Sequence, residues 1–252
     1  MPTSDLVSII TPAFKAARFV GNAVESVISQ DHSNWEMLIV DDCSPDDTTA
    51  RVEEWAARDK RVRLIRQRKN GGPAAARNAA LENSTGRYVA FLDIDDYWLP
   101  GKISLQLDFM RANDAVISFT GFRRISEDRS RTGRLVRIPK RLSYSQLLGN
   151  TAIATSTVII DRSRTGPLRM QPVYYDDFVL WLSLLRQGHI ALGLNEDLMR
   201  YRVVGKSVSR NKTKSAGEVW KTYRTVEGLG WPRSAWCFAN YGARAWLKYA
   251  RF

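Results

Sequence analysis

YVAFLDIDDYW, residues Tyr88–Trp98, runs an apolar stretch of strand character directly into three carboxylates, Asp93, Asp95 and Asp96. Carboxylates are rarely buried unless paired, hydrogen-bonded or bound to a cation, because removing an ion from water costs several kcal/mol. A positive partner is therefore expected at the end of this strand. An Asp-x-Asp group backed by Tyr97-Trp98 suits a divalent cation, Mn2+ or Mg2+, held by hard oxygens with positions left open for phosphate. The competing reading is that the acids only cap the turn and helix near Pro100.

Upstream of this stretch, strands alternate with helices. Val7–Ile10 is a β-branched run, and Thr11-Pro12 is expected to stop its ladder. Phe19, Val20, Ala23, Val24, Val27 and Ile28 recur at helical spacing, and Trp35–Val40 reads as a second strand. Ser44-Pro45-Asp46-Asp47 has the form of an N-cap, a proline at the first helical position and an acidic first turn, predicting a helix from there to about Arg58. Arg61–Arg66 is a third strand, a helix is expected over Pro73–Leu81, and Asn83–Gly86 turns the chain into Tyr88–Leu92. This alternation predicts an α/β fold, a mainly parallel sheet flanked by helices, with its ligand crevice outside the carboxyl ends of the strands. Thr11, Asp41-Asp42 and Asp93–Asp96 would then converge on one rim.

Past residue 100 the order is less regular. Ala115–Ile125 and Thr155–Ile160 read as strands, the basic stretch Arg129–Arg141 as a loop or hairpin, and Asp177–Arg186 as a helix. There is no internal repeat. The 252 residues are 44% hydrophobic, enough for a substantial core, and the net charge of +12 favours an anionic partner. Cys43 and Cys237 lie far apart with only His32 and His189 as companions, which points to neither a disulfide framework nor a zinc site. No window approaches the length of a membrane-spanning helix, so a cytoplasmic protein is expected.

Taken in order, VSIITPAFKAARFV, LIVDDCSPDDT, NGGPAAARNAAL, FLDIDDYW, YYDDFVLWLSLLRQG and YRVVGKSVSRN resemble the family 2 inverting glycosyltransferases of the nucleotide-binding GT-A fold. The likeness is strongest to bacterial enzymes of teichuronic acid, capsule and lipopolysaccharide assembly. It implies a nucleotide-sugar donor, a UDP-sugar by family default, and a saccharide acceptor carried on a polyprenyl diphosphate. It also implies roles for named positions. Thr11, Pro12, Ala13 and Phe14 would pack on base and ribose, and one of Asp41 and Asp42 would meet the base edge. Gly71, Gly72, Arg77 and Asn78 would lie against nucleotide and diphosphate, with Asp93 and Ile94 beside them. Asp93 and Asp95 would hold the metal, and Asp177 would be the catalytic base. Asp96, Asp176 and Trp181 would line the acceptor or diphosphate side. Glycines permit close backbone approach, and a helix starting at Pro73 would offer free N–H groups to an anion.

Two positions depart from the family pattern: Asp176 stands where a glutamate is usual, and Tyr201-Arg202-Val203-Val204 lacks a histidine that many relatives carry. The diphosphate would then lean on Arg202, Lys206, Ser207 or Ser209. A sugar-nucleotide nucleotidyltransferase is the enzymatic alternative, but it would call for a glycine-rich, lysine-bearing loop after the first strand, and TPAFKAARF has no glycine. A basic nucleic-acid-binding domain accounts for the charge but not for acid clusters along the binding rim. The reading divides the chain into a transferase domain, 1–215, with a nucleotide half to about 100 and an acceptor half beyond it, and a C-terminal helical segment, 216–252. That segment interleaves Trp220, Tyr223, Trp231, Trp236, Phe238, Tyr241, Trp246, Tyr249 and Phe252 with Lys221, Arg224, Arg233, Arg244, Lys248 and Arg251. It is expected to hold the protein peripherally on an anionic membrane surface, the inner face of the cell membrane; the competing reading is that the rings pack back on the catalytic domain as an ordinary core helix.

Overall fold

The computed structural model describes residues 5–150, 152–205 and 212–249, the last with side chains only to residue 243 and none at 212 or 213. Its strands are β1 (Val7–Ala13), β2 (Trp35–Asp41), β3 (Val62–Arg66), β4 (Tyr88–Phe91), β5 (Tyr97–Trp98), β6 (Ile117–Ser126), β7 (Thr132–Val136), β8 (Arg141–Leu142), β9 (Ile159–Asp161) and β10 (Ala191–Val203). The α-helices are α1 (Ala17–Ile28), α2 (Thr48–Arg58), α3 (Gly72–Glu82), α4 (Lys102–Ala112), α5 (Tyr144–Leu148), α6 (Arg162–Thr165), α7 (Asp176–Arg186), α8 (Lys212–Lys221) and α9 (Trp231–Tyr249). One sheet runs β3-β2-β1-β4-β9-β6-β10-β5, with β7 on β6 and β8 on β10. β3, β2, β1 and β4 are parallel, and β9 is antiparallel to both β4 and β6.

The parallel strands are apolar on both faces because each face is covered by helices. Ile9, Met37, Ile39 and Ala90 pack with Phe19, Val20, Val24 and Val27 of α1 and Ile103 and Leu107 of α4. Ile10, Leu38, Val40 and Phe91, one residue out of phase, pack on the other face with Ala76 and Ala80 of α3 and Leu180, Trp181 and Leu184 of α7. Among the described residues the C-terminal helices join this second layer through Val219, Tyr223 and Cys237, and the expected boundary at 215/216 falls inside α8.

Several boundaries differ from expectation. β1 does not end at Thr11 but pairs through Pro12↔Val40 and Ala13↔Asp41. A proline is tolerated there because β4 has already left the ladder after Ile10↔Phe91, and the missing N–H faces that side. Ser44–Asp47 is a loop and the helix begins at Thr48. Asp41 accepts from Ser44 N at 3.2 Å and from Thr49 Oγ1 at 2.6 Å, which wraps the segment back on the strand end. Thr155–Thr157 is a 3-10 turn, and only Ile159–Asp161 is strand. The basic stretch does form a hairpin, with Phe122↔Val136 and Ile125↔Thr132 paired.

Candidate active site

The parallel strands deliver their carboxyl ends to one rim, as expected. At the end of β4 the chain turns at Asp93–Asp96 and returns in β5, which pairs antiparallel with β10. The acids of this turn are not equivalent. Asp96 is buried, and its carboxylate accepts from Ser156 Oγ at 2.6 Å and from Arg202 N at 2.9 Å. Burial and the adjacent Asp95 and Asp93 push its carboxyl well above the usual range. Asp93 lies nearer the surface and accepts from Arg77 Nη2 at 2.6 Å. Asp95, half-buried, is pushed up to about 6 by burial and then by Asp93. Its own backbone N–H and the more distant charges of Arg202 and Arg77 oppose that rise.

Arg77 of α3 binds this turn to the start of α7. Its Nη1 donates to Asp176 at 2.7 Å while Nη2 holds Asp93. Burial works against the guanidinium charge, but Asp93, Asp176 and Asp177 together hold it protonated above its ordinary range. Asp176 is raised by burial, with Arg77 opposing. Asp177 occupies the first turn of α7, with Oδ1 on Phe178 N at 2.7 Å and Oδ2 on Thr155 Oγ1 at 2.5 Å. On the far side of the turn, Arg202 donates from Nε to the Asp95 carbonyl and from Nη1 to the Glu127 carbonyl, each at 2.7 Å. Burial, then the charge of Arg129, lowers its guanidinium. Arg77 Nε and Arg202 Nη2 are buried donors with no partner among the described residues. Each such donor costs about 1–3 kcal/mol, which a phosphate oxygen would relieve.

Asp93 and Asp95 fit a hard divalent cation. Two carboxylates crowd one turn, and Asp95 is short of positive charge. Among the described residues, no cluster of three or more His, Cys, Asp or Glu forms an all-protein metal cage. A pair of carboxylates with the remaining positions filled by phosphate oxygens and water is the arrangement Mg2+ and Mn2+ favour.

Other expected contacts are spent inside the fold. Asp42 accepts from Gly71 N and Gly72 N, both at 2.8 Å, so its carboxylate already caps α3 where free amides were expected. Gly72 has φ +80, which suits glycine, and a Cβ on Gly71 would lie 2.8 Å from that of Ala75. The close approach at Gly71 is therefore made within the chain, while Gly72 serves the backbone conformation and has open space beside it. Asn78 clamps the Met170 backbone, donating to its carbonyl at 2.9 Å and accepting from its N–H at 2.8 Å. Trp181 is 2% exposed and meets Phe91 edge to face at 5.3 Å, which makes it a core residue and removes it from the acceptor face. Thr11, Ala13 and Ile94 are buried, leaving Pro12 partly and Phe14 44% exposed in the first loop. Lys206, Ser207 and Ser209 lie outside the described residues. Sequence reading missed Thr155, Ser156 and Glu127, hydroxyl and acid residues in segments without a motif, whose roles depend on contacts across the fold.

The family model "Glycosyl transferase family 2" matches residues 8–167. The TuaG protein of Bacillus subtilis, whose name places it in teichuronic acid biosynthesis, is 42% identical over 244 residues, covering 96% of this chain and 97% of its own. This chain belongs to glycosyl transferase family 2. Escherichia coli WfgD, named as a UDP-Glc:alpha-D-GlcNAc-diphosphoundecaprenol beta-1,3-glucosyltransferase, is 37% identical over 85% of this transferase and 84% of its own length. Among solved structures, Staphylococcus aureus TarS 1-349 in complex with UDP-GlcNAc superposes with a TM-score of 0.74 at 17% identity, covering 95% of this transferase and 72% of that chain. The mannosyltransferase PcManGT from Pyrobaculum calidifontis, in complex with GDP-Man and Mn2+, gives 0.69 at 17% identity, covering 98% and 75%. These structures establish a GT-A-like mixed α/β fold, and the family match favours glycosyl transfer over the nucleotidyltransferase and nucleic-acid alternatives.

Proposed function

We propose that this protein is a metal-dependent inverting glycosyltransferase that moves a sugar from a UDP-sugar to a saccharide on a lipid diphosphate, in the assembly of a bacterial cell-surface polysaccharide. The observation that carries the reading is the buried Arg77, which donates to Asp93 of the acidic turn, the proposed cation site, and to Asp176 at the start of α7, the helix that carries Asp177. Glycosyl transfer needs three things: a leaving group whose charge is neutralised, an acceptor hydroxyl that loses its proton as it attacks, and alignment of the two partners. A Mn2+ or Mg2+ ion on Asp93 and Asp95 would offset the charge of the departing diphosphate. Arg77 and Arg202 hold the turn in shape and add positive potential around it. Asp177 takes the acceptor proton, and a single in-line displacement from the face opposite the leaving group inverts the anomeric carbon.

A UDP-sugar and a diphosphate-linked acceptor are supported by the names of WfgD and of the TarS complex, and the metal by the Mn2+ in the PcManGT complex. Peripheral attachment to the inner face of the cell membrane is part of the same proposal. Among the described residues no helix is long and apolar enough to cross a membrane, and α9 turns two tryptophans outward. Asp177→Asn tests the central assignment. The variant is expected to bind UDP with manganese as the parent does and to transfer sugar at least about a hundredfold more slowly, as loss of a general base predicts. Near-parental turnover would assign the base elsewhere.

A further inference from the structure

The 3-10 turn Thr155–Thr157 lies between the acidic turn after β4 and the start of α7; Thr155 and Ser156 are each tied to a different part of the site, and Thr157 is held from behind by α4. All three are buried. The Ser156 hydroxyl donates to Asp96 Oδ2 at 2.6 Å and accepts from Asp93 N at 3.0 Å, so one oxygen spans the acidic turn. The Thr155 hydroxyl donates to Asp177 Oδ2 at 2.5 Å. From behind, the Trp98 indole N–H donates to the Ser156 carbonyl at 2.7 Å and the Gln106 amide to the Thr157 carbonyl at 3.0 Å. Gln106 is itself held by Lys102 Nζ at 2.8 Å.

We propose that this turn is the positioning element of the transfer reaction: Ser156 sets the acidic turn, and Thr155 fixes the carboxylate plane of Asp177 in the same rigid frame. The inference rests on the reading of Asp177 as the base. On its own helix Asp177 is held only through Oδ1, by Phe178 N–H, and a carboxylate held at one oxygen can still rotate about its last bond. The Thr155 hydroxyl, from a different element, pins the second oxygen. A carboxylate has about four lone-pair sites, so two such bonds leave acceptor capacity for the attacking hydroxyl. Thr155 touches the base and not the reacting atoms, and is a positioning residue. The acidic turn and the base thus keep a separation set by adjacent residues of one turn, and catalytic groups need placement within about 0.5 Å.

The test compares Thr155→Val, nearly the same shape without the donor, with Thr155→Ser, which restores it, and with Asp177→Asn. UDP release is followed on a panel of UDP-sugars with manganese, and UDP binding by calorimetry. Thr155→Val is expected to lower kcat about ten- to a hundredfold with donor KM and UDP affinity within about twofold, and Thr155→Ser to recover most of the loss. In parallel, chemical denaturation of Thr155→Val, Asp177→Ala and the double variant should give non-additive midpoints, a readout that needs no donor. Parental kcat in Thr155→Val beside an inactive Asp177→Asn, equal loss of UDP affinity and kcat without rescue by serine, or additive midpoints would each overturn the role of Thr155 while leaving the base in place. An active Asp177→Asn would overturn the base assignment itself.

Discussion

Lys102 shows what a single buried side chain costs this fold. It is fully buried in α4 with one hydrogen bond, to Gln106, and burial pushes its ammonium down from 10.5 to about 7. The Trp98 ring face, 4.1 Å from Nζ, compensates part of that cost. Because the folded value lies below the unfolded one, the unfolded chain binds the extra proton between about pH 7 and 10.5, and stability rises with pH across that window. Denaturation midpoints at pH 7 and 9.5 should therefore rise more for the parent than for Lys102→Met, by up to about 1.4 kcal/mol per pH unit. Parallel pH dependence in the two proteins would contradict this. Asp95 is the residue-scale test of the cation. Asp95→Asn keeps the volume and removes a charged ligand, so UDP binding should lose its dependence on manganese while the circular dichroism spectrum is kept. Unchanged affinity with manganese would remove the metal from Asp95.

At the scale of elements, α3 is the helix whose placement matters most to the site, since it carries Arg77. Its start is capped by Asp42 from the end of β2, and its second turn is clamped to Met170 by Asn78. Asp42→Ala should cost about 1–2 kcal/mol by urea denaturation with no nucleotide present, the typical loss of a helix cap. A loss confined to nucleotide affinity would instead mean that Asp42 faces the ligand. Both halves of this arrangement had a sequence signal, the acidic pair after WEMLIV and the Asn-Gly-Gly before the helix, but not the fact that they bind each other. That pairing spans about thirty residues and depends on β2 and β3 lying side by side, which no local pattern encodes.

For the whole molecule, the C-terminal helices present two faces. Ser234 and Cys237 are buried and Phe238 and Tyr241 partly so, at helical spacing, and Trp220 packs on Trp231 and Phe238 with ring centroids 5.6 Å apart in each pair. Trp231 and Trp236 remain 67% and 72% exposed, with exposed Arg233 between them in the chain. Among the described side chains the segment is thus both core and surface; those of Arg244, Trp246, Lys248, Tyr249, Arg251 and Phe252 lie outside them. Co-sedimentation with liposomes should need anionic lipid, weaken with salt and fall in Trp236→Ser and Arg233→Ser. Equal recovery in the supernatant with and without anionic vesicles at low salt would sink the idea.

The βαβ order, the rim of acids and the family were legible in the chain because they rest on local patterns: β-branched runs, 3.6-residue periodicity and motifs kept in order. β10, the longest of the described strands, was not recognised, since Ala191–Val203 alternates irregularly with Asn195, Glu196 and Asp197 and becomes a strand by pairing with β6, β5 and β8, and α4 entered only as a helix near Pro100. Family resemblance could place Trp181 at the acceptor and Asn78 at the diphosphate, but only packing turned the first onto Phe91 and the second onto Met170. The same holds for Thr155, Ser156 and Arg77. A hydroxyl or guanidinium acts on whichever carboxylate the fold brings within 3 Å, and those partners lie 16 to 99 residues away in the chain.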